Sequence, residues 1–281
     1  MPQSPESISS AATPGRTRIM GVVNVTPDSF SDGGRFLALE SAVAHALRLV
    51  EEGADILDLG AESSRPGSEP ISSEEELRRL RPVLQALAGR VPVRISIDTT
   101  KPEVAEAALS LGATMVNDIT AAADCHMLEV VRKHGASLVL MHIRGTPRTM
   151  QRETAYNDVV TDVGNFLAER VASARQLGID EILIDPGIGF GKNTGQNLEL
   201  LRRLGEFRRI GCPILIGASR KSFLGTITGC KDPSARLPES IGAVCAAVMN
   251  GAEYVRVHDV AECRRALAIV DAVRGAPWIA S

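Results

Sequence analysis

Aromatic residues are scarce in this sequence, since one tryptophan, two tyrosines and six phenylalanines make up only 3% of its 281 residues. Proteins that bind single-stranded nucleic acids stack the bases on several aromatic side chains, so this composition disfavours that class. The net charge of −3 also provides no basic surface for a polyanion. We therefore expect no nucleic-acid partner.

Long apolar runs and paired cysteines are also missing. No apolar stretch approaches the length that spans a bilayer, so we expect no membrane segment. The five cysteines include no C-x-x-C pair, which predicts reduced thiols in a cytoplasmic protein rather than disulfides or a zinc site. The opening segment MPQSPESISSAATPG lacks the apolar region of a signal peptide. It predicts a disordered tail over residues 1–16, followed by one domain over residues 17–281.

Short runs rich in Ile, Val and Leu alternate with amphipathic segments of helical period along the whole chain. This pattern is typical of parallel strands covered by helices on the outside. Eight such units in a chain of this length predict a single-domain (β/α)₈ barrel, an α/β fold with its active site at the C-terminal ends of the strands. A doubly wound open sheet is the alternative, but no G-x-G-x-x-G follows the first strand. The predicted strands are Arg18–Val25, Asp55–Gly60, Val93–Asp98, Met115–Asp118, Ser137–His142, Ile182–Asp185, Ile214–Ser219 and Tyr254–His258.

Local signals place several of the helices. Ser73 followed by Glu76 predicts a capping box at a helix start. Pro82 falls inside the same apolar pattern and predicts a kink or a later start. Pro102 suits the first turn of the next helix. Further helices are predicted over Asp158–Leu177, Asn197–Phe207, Glu239–Met249 and Ala261–Val273.

A polar residue stands at or near the end of almost every predicted strand. A single such residue is often structural, but buried polar groups are costly without partners. A ring of them at one end of a barrel therefore predicts a cup for a polar ligand, on the face where barrels carry their active sites. The ring comprises Asn24, Asp58, Asp98, Asn117, His142, Asp185, Ser219, Arg256 and His258.

Several cations reach the same predicted face. Arg220 and Lys221 lie where a strand turns into a helix, whose free N–H groups would add to an anion site. The last two strands, which carry Lys221, Arg256 and His258, are where barrels commonly bind phosphate. The pattern predicts a phosphate or pyrophosphate ligand, with a solvated basic patch as the alternative.

Carboxylates and amides at the strand ends suggest the rest of the ligand. Asp98, Asn117 and Asp185 suit the donor and acceptor edge of a heterocycle with amino and lactam groups. They suit a metal ion less well, because no H-x-H or H-E-x-x-H spacing is present. Asn24 together with phosphate oxygens would suit Mg²⁺, which takes few protein ligands and keeps waters.

Two connections after the first and second strands, NVTPDSFSDGGRF and GAESSRPGSEP, are long for this fold. Their length predicts mobile lids. Phe30 in the first of them would either close over a flat substrate or pack under its own loop.

The segment DPGIGFGK at residues 185–192 superficially suggests a nucleotide-binding loop. A P-loop needs glycine where Pro186 stands and Ser or Thr where Asn193 stands, so this interpretation fails. We expect instead that the glycines let the backbone approach a flat ligand and that Phe190 faces it.

The motifs together resemble the dihydropteroate synthase family of pterin-binding enzymes, in the family's order and from about Arg18 to the C-terminus. They are MGVVNVTPDSFSDGG (Met20–Gly34), DLGAESSRPG (Asp58–Gly67), IDTTKPEV (Ile97–Val104), VND (Val116–Asp118), MH..GTP.TMQ (Met141–Gln151), DPGIGFGKN (Asp185–Asn193), GASRKSFLG (Gly217–Gly225) and VRVHD (Val255–Asp259).

The resemblance implies an Mg²⁺-dependent transferase of folate biosynthesis. Such an enzyme joins 6-hydroxymethyl-7,8-dihydropterin pyrophosphate to 4-aminobenzoate and releases pyrophosphate, by dissociative loss of the leaving group and attack of the arylamine. Members of the family are cytoplasmic homodimers and targets of sulfonamides.

The resemblance also implies site residues. The pterin would contact Asp98, Asn117, Met141, Asp185, Phe190, Gly217 and Lys221. The aminobenzoate would contact Phe30, Ser64, Pro66, Phe190 and Ser222. The pyrophosphate would contact Asn24, Ser64, Arg65, Arg256 and His258, with Asn24 also holding Mg²⁺. The catalytic residues would be Lys221, Asp98, Asp185, Arg65 and Asp32, the last orienting Arg65.

Two alternatives stay open: a non-catalytic pterin-binding paralogue and a pterin-barrel methyltransferase. The methyltransferase would not need the SRPG lid or the SRK phosphate site, and both are present. A non-catalytic paralogue would be expected to lose anion-site residues, and these are in place. One departure is Ser64, which stands where the family usually has threonine.

Overall fold

A computed structural model describes residues 15–25, 35–65, 67–152 and 154–277. Its eight parallel strands form one sheet in the order β6-β5-β4-β3-β2-β1-β8-β7. A bridge between Ile184 and Ile214 joins the two ends of that sheet, so the predicted (β/α)₈ barrel is confirmed. The strands are β1 Arg18–Asn24, β2 Ile56–Gly60, β3 Arg94–Asp98, β4 Met115–Asp118, β5 Ser137–Met141, β6 Ile182–Asp185, β7 Leu215–Ile216 and β8 Tyr254–Val257.

Helices surround the strands. In the described ranges, one α-helix follows each of the first six strands, two follow β7 and one follows β8. They are α1 Arg35–Glu51, α2 Ser73–Leu87, α3 Pro102–Ser110, α4 His126–His134, α5 Val159–Gln176, α6 Thr194–Arg202, α7 Ser222–Thr228, α8 Leu237–Met249 and α9 Val260–Val273. Short 3₁₀ helices cover Met150–Arg152, Leu204–Ile210 and Pro233–Ala235.

Two predicted helix starts and one predicted helix require correction. Helix α2 is capped one residue earlier than predicted, because Ser72 is still extended and its side chain accepts the Glu75 N–H. The helix then continues through Pro82, so the late start suggested for that proline is wrong. The helix predicted over Asn197–Phe207 begins earlier, at α6 behind the Asn193 capping box, and gives way to the 3₁₀ turn Leu204–Ile210. The predicted proline at the first turn of α3 is confirmed.

The interior of the barrel is filled by one apolar layer. This layer consists of Met20, Ile56, Met115, Val139, Leu183, Leu215 and Tyr254. Because side chains alternate across a strand, the residue two positions after each of these also points into the barrel. In six cases that residue begins the mouth of the barrel: Asp58, Asn117, Met141, Asp185, Gly217 and Arg256.

The sheet registers bring the C-terminal strand ends to one level. Asp98 pairs with Gly60 on one side and with Asn117 on the other, and Met141 pairs with Asp185. Among the helices in the described ranges, none has both the length and the apolar composition needed to cross a bilayer. Residues 1–14 of the predicted tail lie outside the described part of the chain.

Candidate active site

Arg256 joins two carboxylates at the C-terminal mouth of the barrel. Its Nε donates to Oδ2 of Asp58 at 2.6 Å, and its Nη2 donates to Oδ2 of Asp98 at 2.7 Å. The Asp58 side chain is fully buried, whereas the other two are partly accessible. A guanidinium fixed at two edges in this way cannot rotate freely, so its remaining N–H groups point in set directions.

Asp58 also organises Asn117. The Asn117 Nδ2 donates to Asp58 Oδ2 at 3.0 Å, which leaves the amide oxygen of Asn117 as an acceptor. The second carboxylate oxygen, Asp58 Oδ1, has no hydrogen-bond partner among the described residues, and neither has the buried Ser96 Oγ beside it on β3. Buried polar atoms without partners are costly, so this layer retains hydrogen-bonding capacity that the described side chains do not use.

Asp185 lies at the end of β6, and the residue is 5% exposed. Its Oδ1 accepts the backbone N–H of Gly187 at 2.7 Å. Its Oδ2 would be 3.8 Å from a Cβ at Gly217, so the missing side chain keeps the space above this oxygen free for a ligand.

An apolar wall stands beside the carboxylates. Met141 and Phe190 pack with Ile119 and Met150 in a small buried cluster separate from the main core. The Nζ of Lys221 lies 3.8 Å from the centre of the Phe190 ring, a cation–π contact. A flat ligand could therefore be bounded by an aromatic face and a cation on one side and by carboxylates on its edge.

The low-dielectric environment of the mouth changes its acid–base chemistry. Burial raises the pKa of Asp98 to about 7, against the opposing charge of Arg256. Burial also raises the pKa of Asp185 to about 6, although the Gly187 N–H and Lys221 oppose it. Burial and the charge of Arg256 lower the pKa of Lys221 to about 8. Three groups that titrate near neutrality in one cleft are typical of an active site.

His258 is uncharged in this structure's environment. Burial, followed by the charges of Arg256 and Arg220, lowers its pKa to about 3. Its Nδ1 lies 3.0 Å from the Ser219 hydroxyl at the end of the neighbouring strand. The cation that the sequence predicted at this position therefore forms only if an anionic ligand beside the imidazole raises its pKa.

The charge of Arg220 is matched by an acid. Its Nε donates to Oδ2 of Asp259 at 3.1 Å. Asp259 directly follows His258, so this ion pair links the loops that follow β7 and β8. The backbone of Arg220 is left-handed, with φ 58°, and its N–H is held by the Ser240 hydroxyl. This strained residue precedes Lys221 and fixes the direction in which that lysine leaves the loop.

Four further predicted residues lie on the rim. Asn24 is exposed at the end of β1, and Ser222 is exposed at the first residue of α7. Ser64 is half-buried and Arg65 is exposed in the loop after β2. Phe30, Asp32 and Pro66 lie outside the described residues.

Three charged residues were not assigned a role from the sequence, and two of them, Asp58 and Lys192, are buried. Asp58 belonged to the predicted polar ring, and a carboxylate inside an otherwise apolar strand was the signal that could have identified it. Lys192 turns inward behind Phe190. Lys101 contacts both Glu62 and the fully buried Glu76. Nothing in the sequence indicates which of the five lysines is buried, because that depends on the packing of distant elements.

Comparison with known proteins agrees with this geometry. Residues 20–258 match the family described as Pterin binding enzyme. A dihydropteroate synthase of Synechocystis sp. is 46% identical to the chain over 92% of its length and 90% of the relative.

Solved structures are similar over nearly the whole chain. The dihydropteroate synthase of Xanthomonas albilineans, solved with 4-aminobenzoic acid, has a TM-score of 0.87 at 46% identity, covering 93% of this chain and 94% of that one. The same enzyme with 7,8-dihydropteroate gives 0.84 at 45% identity, covering 93% and 95%. The Yersinia pestis enzyme in a sulfonamide drug complex gives 0.89 at 40% identity, covering 96% and 99%.

Proposed function

The chain belongs to the dihydropteroate synthase family of pterin-binding enzymes, and we propose that it catalyses that reaction. It condenses 6-hydroxymethyl-7,8-dihydropterin pyrophosphate with 4-aminobenzoate, giving 7,8-dihydropteroate and pyrophosphate. The observation that carries the proposal is the gathering of the Asp98 and Asp185 carboxylates, the Asn117 amide and the Lys221 amine against the Phe190 wall. The non-catalytic alternative has no specific observation in its favour.

The pterin ring occupies the deep part of the mouth. Asp185 and Asp98 accept from its amino and ring N–H groups, and Asn117 provides an amide oxygen oriented by Asp58. Lys221 donates to a ring acceptor, while Met141 and Phe190 cover one face. Gly217 lets the ring approach between Asp185 and Arg256, because a Cβ there would come within 3.9 Å of both side chains.

The pyrophosphate lies toward the rim, near Asn24, Ser64, Arg65, Arg256 and His258. Two of the five N–H groups of Arg256 are held by carboxylates, so the others can donate to phosphate oxygens. The exposed amide oxygen of Asn24 is the kind of single hard ligand that Mg²⁺ accepts when phosphate oxygens and waters complete its shell. When bound, the ion would neutralise charge on the leaving pyrophosphate.

The residues of the chain favour departure of the leaving group before attack. Positive charge develops on the pterin methylene as the C–O bond breaks, and the Asp98 and Asp185 carboxylates lie where they stabilise it. Arg256 and Arg65 stabilise the negative charge on the leaving oxygens. The arylamine, held near Ser64, Pro66, Phe190, Ser222 and Phe30, then attacks the methylene, and its nitrogen loses a proton to solvent as the C–N bond forms. No protein nucleophile takes part, and Asp32 orients Arg65 when the loops close.

Pyrophosphate release in the presence of Mg²⁺, measured with and without 4-aminobenzoate, tests the proposal. Release that depends on aminobenzoate and yields dihydropteroate supports the synthase. Pterin binding without release would instead indicate the non-catalytic paralogue. Lys221→Ala should reduce the rate by more than about a hundredfold, since it removes a charge-assisted contact in a dry site. A near-normal rate would remove Lys221 from the site.

Inhibition by sulfonamides, a cytoplasmic location and a homodimeric state are part of the same proposal. Sulfonamides would compete with 4-aminobenzoate, as inhibition kinetics would show. All five cysteines are free thiols, which agrees with a cytoplasmic location. A homodimer would cover the exposed apolar side chains of α7, α8 and α9, among them Ile227, Met249 and Ile269. Sedimentation equilibrium measures that state.

A further inference from the structure

The loop after β6 is built around a buried ammonium. Lys192 is 2% exposed, and its side chain turns into the protein rather than toward the mouth. Its Nζ donates to the carbonyl oxygens of Gly187 at 3.0 Å and Phe190 at 2.9 Å. The same Nζ lies 2.9 Å from Nδ1 of His142, which follows β5. The His142 carbonyl oxygen lies 3.4 Å from the same Nζ, so four protein acceptors take the place of water around this cation.

The backbone around Lys192 follows a path that depends on glycine. Gly187, Gly189 and Gly191 have φ of 72°, 83° and 65°. A Cβ at Gly187 would overlap the His142 carbonyl. These left-handed turns direct successive carbonyls toward one point, and the ammonium occupies that point. Without a cation there, the loop would keep converging carbonyl dipoles that repel one another.

This arrangement places Lys192 directly behind two ligand-facing groups. The carbonyl that Lys192 holds belongs to Phe190, whose ring lies 3.8 Å from Lys221 Nζ. The loop starts at Asp185, whose Oδ1 is bonded to the N–H of Gly187, a residue that Lys192 also holds. A change at Lys192 is thus transmitted to both walls of the pterin pocket through two hydrogen bonds.

Lys192 also acts through its charge. The charges of Lys221 and Lys192 both favour the ionised form of Asp185. Burial, Lys221 and Arg144 lower the pKa of Lys192 to about 7, and Asp185 opposes them. Burial and the charge of Lys192 lower the pKa of His142 to about 3, so this imidazole stays neutral and accepts from the ammonium.

We propose that Lys192 is a positioning residue for the pterin: it fixes the loop that carries Phe190 and keeps the Asp185 carboxylate ionised for the ring N–H groups. The proposal rests on the proposed function, because it assumes that a pterin occupies the mouth. A purely structural lysine would change stability and leave the pH dependence of pterin binding as it is.

Binding of 6-hydroxymethylpterin alone, by calorimetry from pH 5.5 to 8.5, tests this without turnover. Lys192→Met should raise the Kd at least about tenfold, which is the effect of losing one charge-assisted hydrogen bond between the Asp185 carboxylate and the pterin. It should also move the midpoint of the pH dependence upward, because Asp185 loses a favourable charge. Lys133→Met, the same change at an exposed lysine of α4, should leave both quantities unchanged.

Lys192→Arg separates the two roles and serves if the methionine variant does not fold. The retained charge should restore the wild-type midpoint, while the larger guanidinium fits the acceptors of the ammonium poorly and the Kd stays raised several-fold. A wild-type Kd and midpoint in either folded variant overturns the proposal, whatever the melting temperature. If the wild-type protein itself fails to bind the pterin, the proposed function falls, and this proposal falls with it.

Discussion

Arg256 and Asp58 meet across β1 although they lie 198 positions apart in the sequence, with Nε and Oδ2 separated by 2.6 Å. The carboxylate is fully buried, and it also accepts from Asn117. One buried acid thus determines the orientation of a cation assigned to the pyrophosphate and of an amide assigned to the pterin. The two halves of the substrate site are thereby mechanically linked.

Asp58→Asn should therefore impair both halves at once. The amide removes a charge on which two donors converge, so we expect kcat/KM for the pterin substrate to fall at least about tenfold. Steady-state kinetics with a fixed excess of aminobenzoate measures this. Asp271→Asn is the matched control, because Asp271 is a buried carboxylate of α9 that accepts from Thr17, just before β1 and away from the mouth of the barrel. Unaltered kinetics in the Asp58 variant would contradict the linkage.

Affinity for a pterin should rise between pH 5 and 8. With folded-state pKa values of about 6 and about 7, Asp185 and Asp98 are mostly protonated at the lower limit and accept from ring N–H groups only as weaker, uncharged acceptors. Asp185→Asn or Asp98→Asn should each flatten part of the rise. Fluorescence titration across this range is the measurement, and a flat wild-type profile would show that these carboxyls do not bind the ring.

The contribution of the same carboxyls to the stability of the unliganded protein should fall with pH, whereas the affinity for a pterin rises. A carboxyl whose folded pKa exceeds its unfolded value makes the folded state bind more protons. For Asp185 this contribution to the free energy of unfolding is lost as pH rises from about 4 to about 6. Urea unfolding of wild type and Asp185→Asn at pH 4.5 and 7 checks this. The unfolding free energy of the variant minus that of wild type should be more positive at pH 7 than at pH 4.5. Equal differences at both values would refute the shift.

Pyrophosphate binding should take up a proton at His258. This imidazole is neutral above a pKa of about 3, and an anion beside it would favour the protonated form. Calorimetry at pH 6.5 in two buffers of different ionisation enthalpy measures the uptake. His258→Gln should reduce the uptake, whereas His126→Gln, at an exposed histidine of α4, should leave it unchanged. Undiminished uptake in the His258 variant would assign the proton to another group.

Lys101 should matter for stability. Its Nζ bonds Glu76 Oε2 at 2.5 Å, and this fully buried carboxylate has a second oxygen without a partner in the described structure. Lys101→Met leaves a buried charge unpaired and should cost about 3 kcal/mol of unfolding free energy. Adding Glu76→Gln should recover part of it, as a urea double-mutant cycle would show. Two strictly additive losses would argue against the pairing.

Hydrophobic periodicity carried most of the fold. The strands from Met115–Asp118 and Ile182–Asp185 were predicted to the residue, because a parallel barrel strand is apolar on both faces and ends at a polar residue. The strand predicted over Ile214–Ser219 shrinks to Leu215–Ile216. Apolar composition alone does not specify how many residues of a run find a hydrogen-bonding neighbour.

The positions of the polar residues were predictable, but their partners were not. Arg256 was assigned to an anion, and the sequence gives no hint that Asp58 and Asp98 hold it. Arg220 was counted with the cations of the mouth, yet Asp259 pairs with it. Such pairings arise when strands far apart in sequence close into a ring, which no local pattern encodes.

The seam at which the barrel closes has a dynamic consequence. Strand β7 has two residues, and β6 reaches it through a single bridge supported by the Ile184 N–H on the Pro213 carbonyl. A ring unzips where fewest bonds must break, so local opening should begin there, and the amides of Leu215 and Ile216 should exchange hydrogen sooner than those of β1 or β2. Because Asp185 and Gly217 flank this seam, a ligand that spans them acts as a clasp, and slowed exchange at β7 would report its arrival.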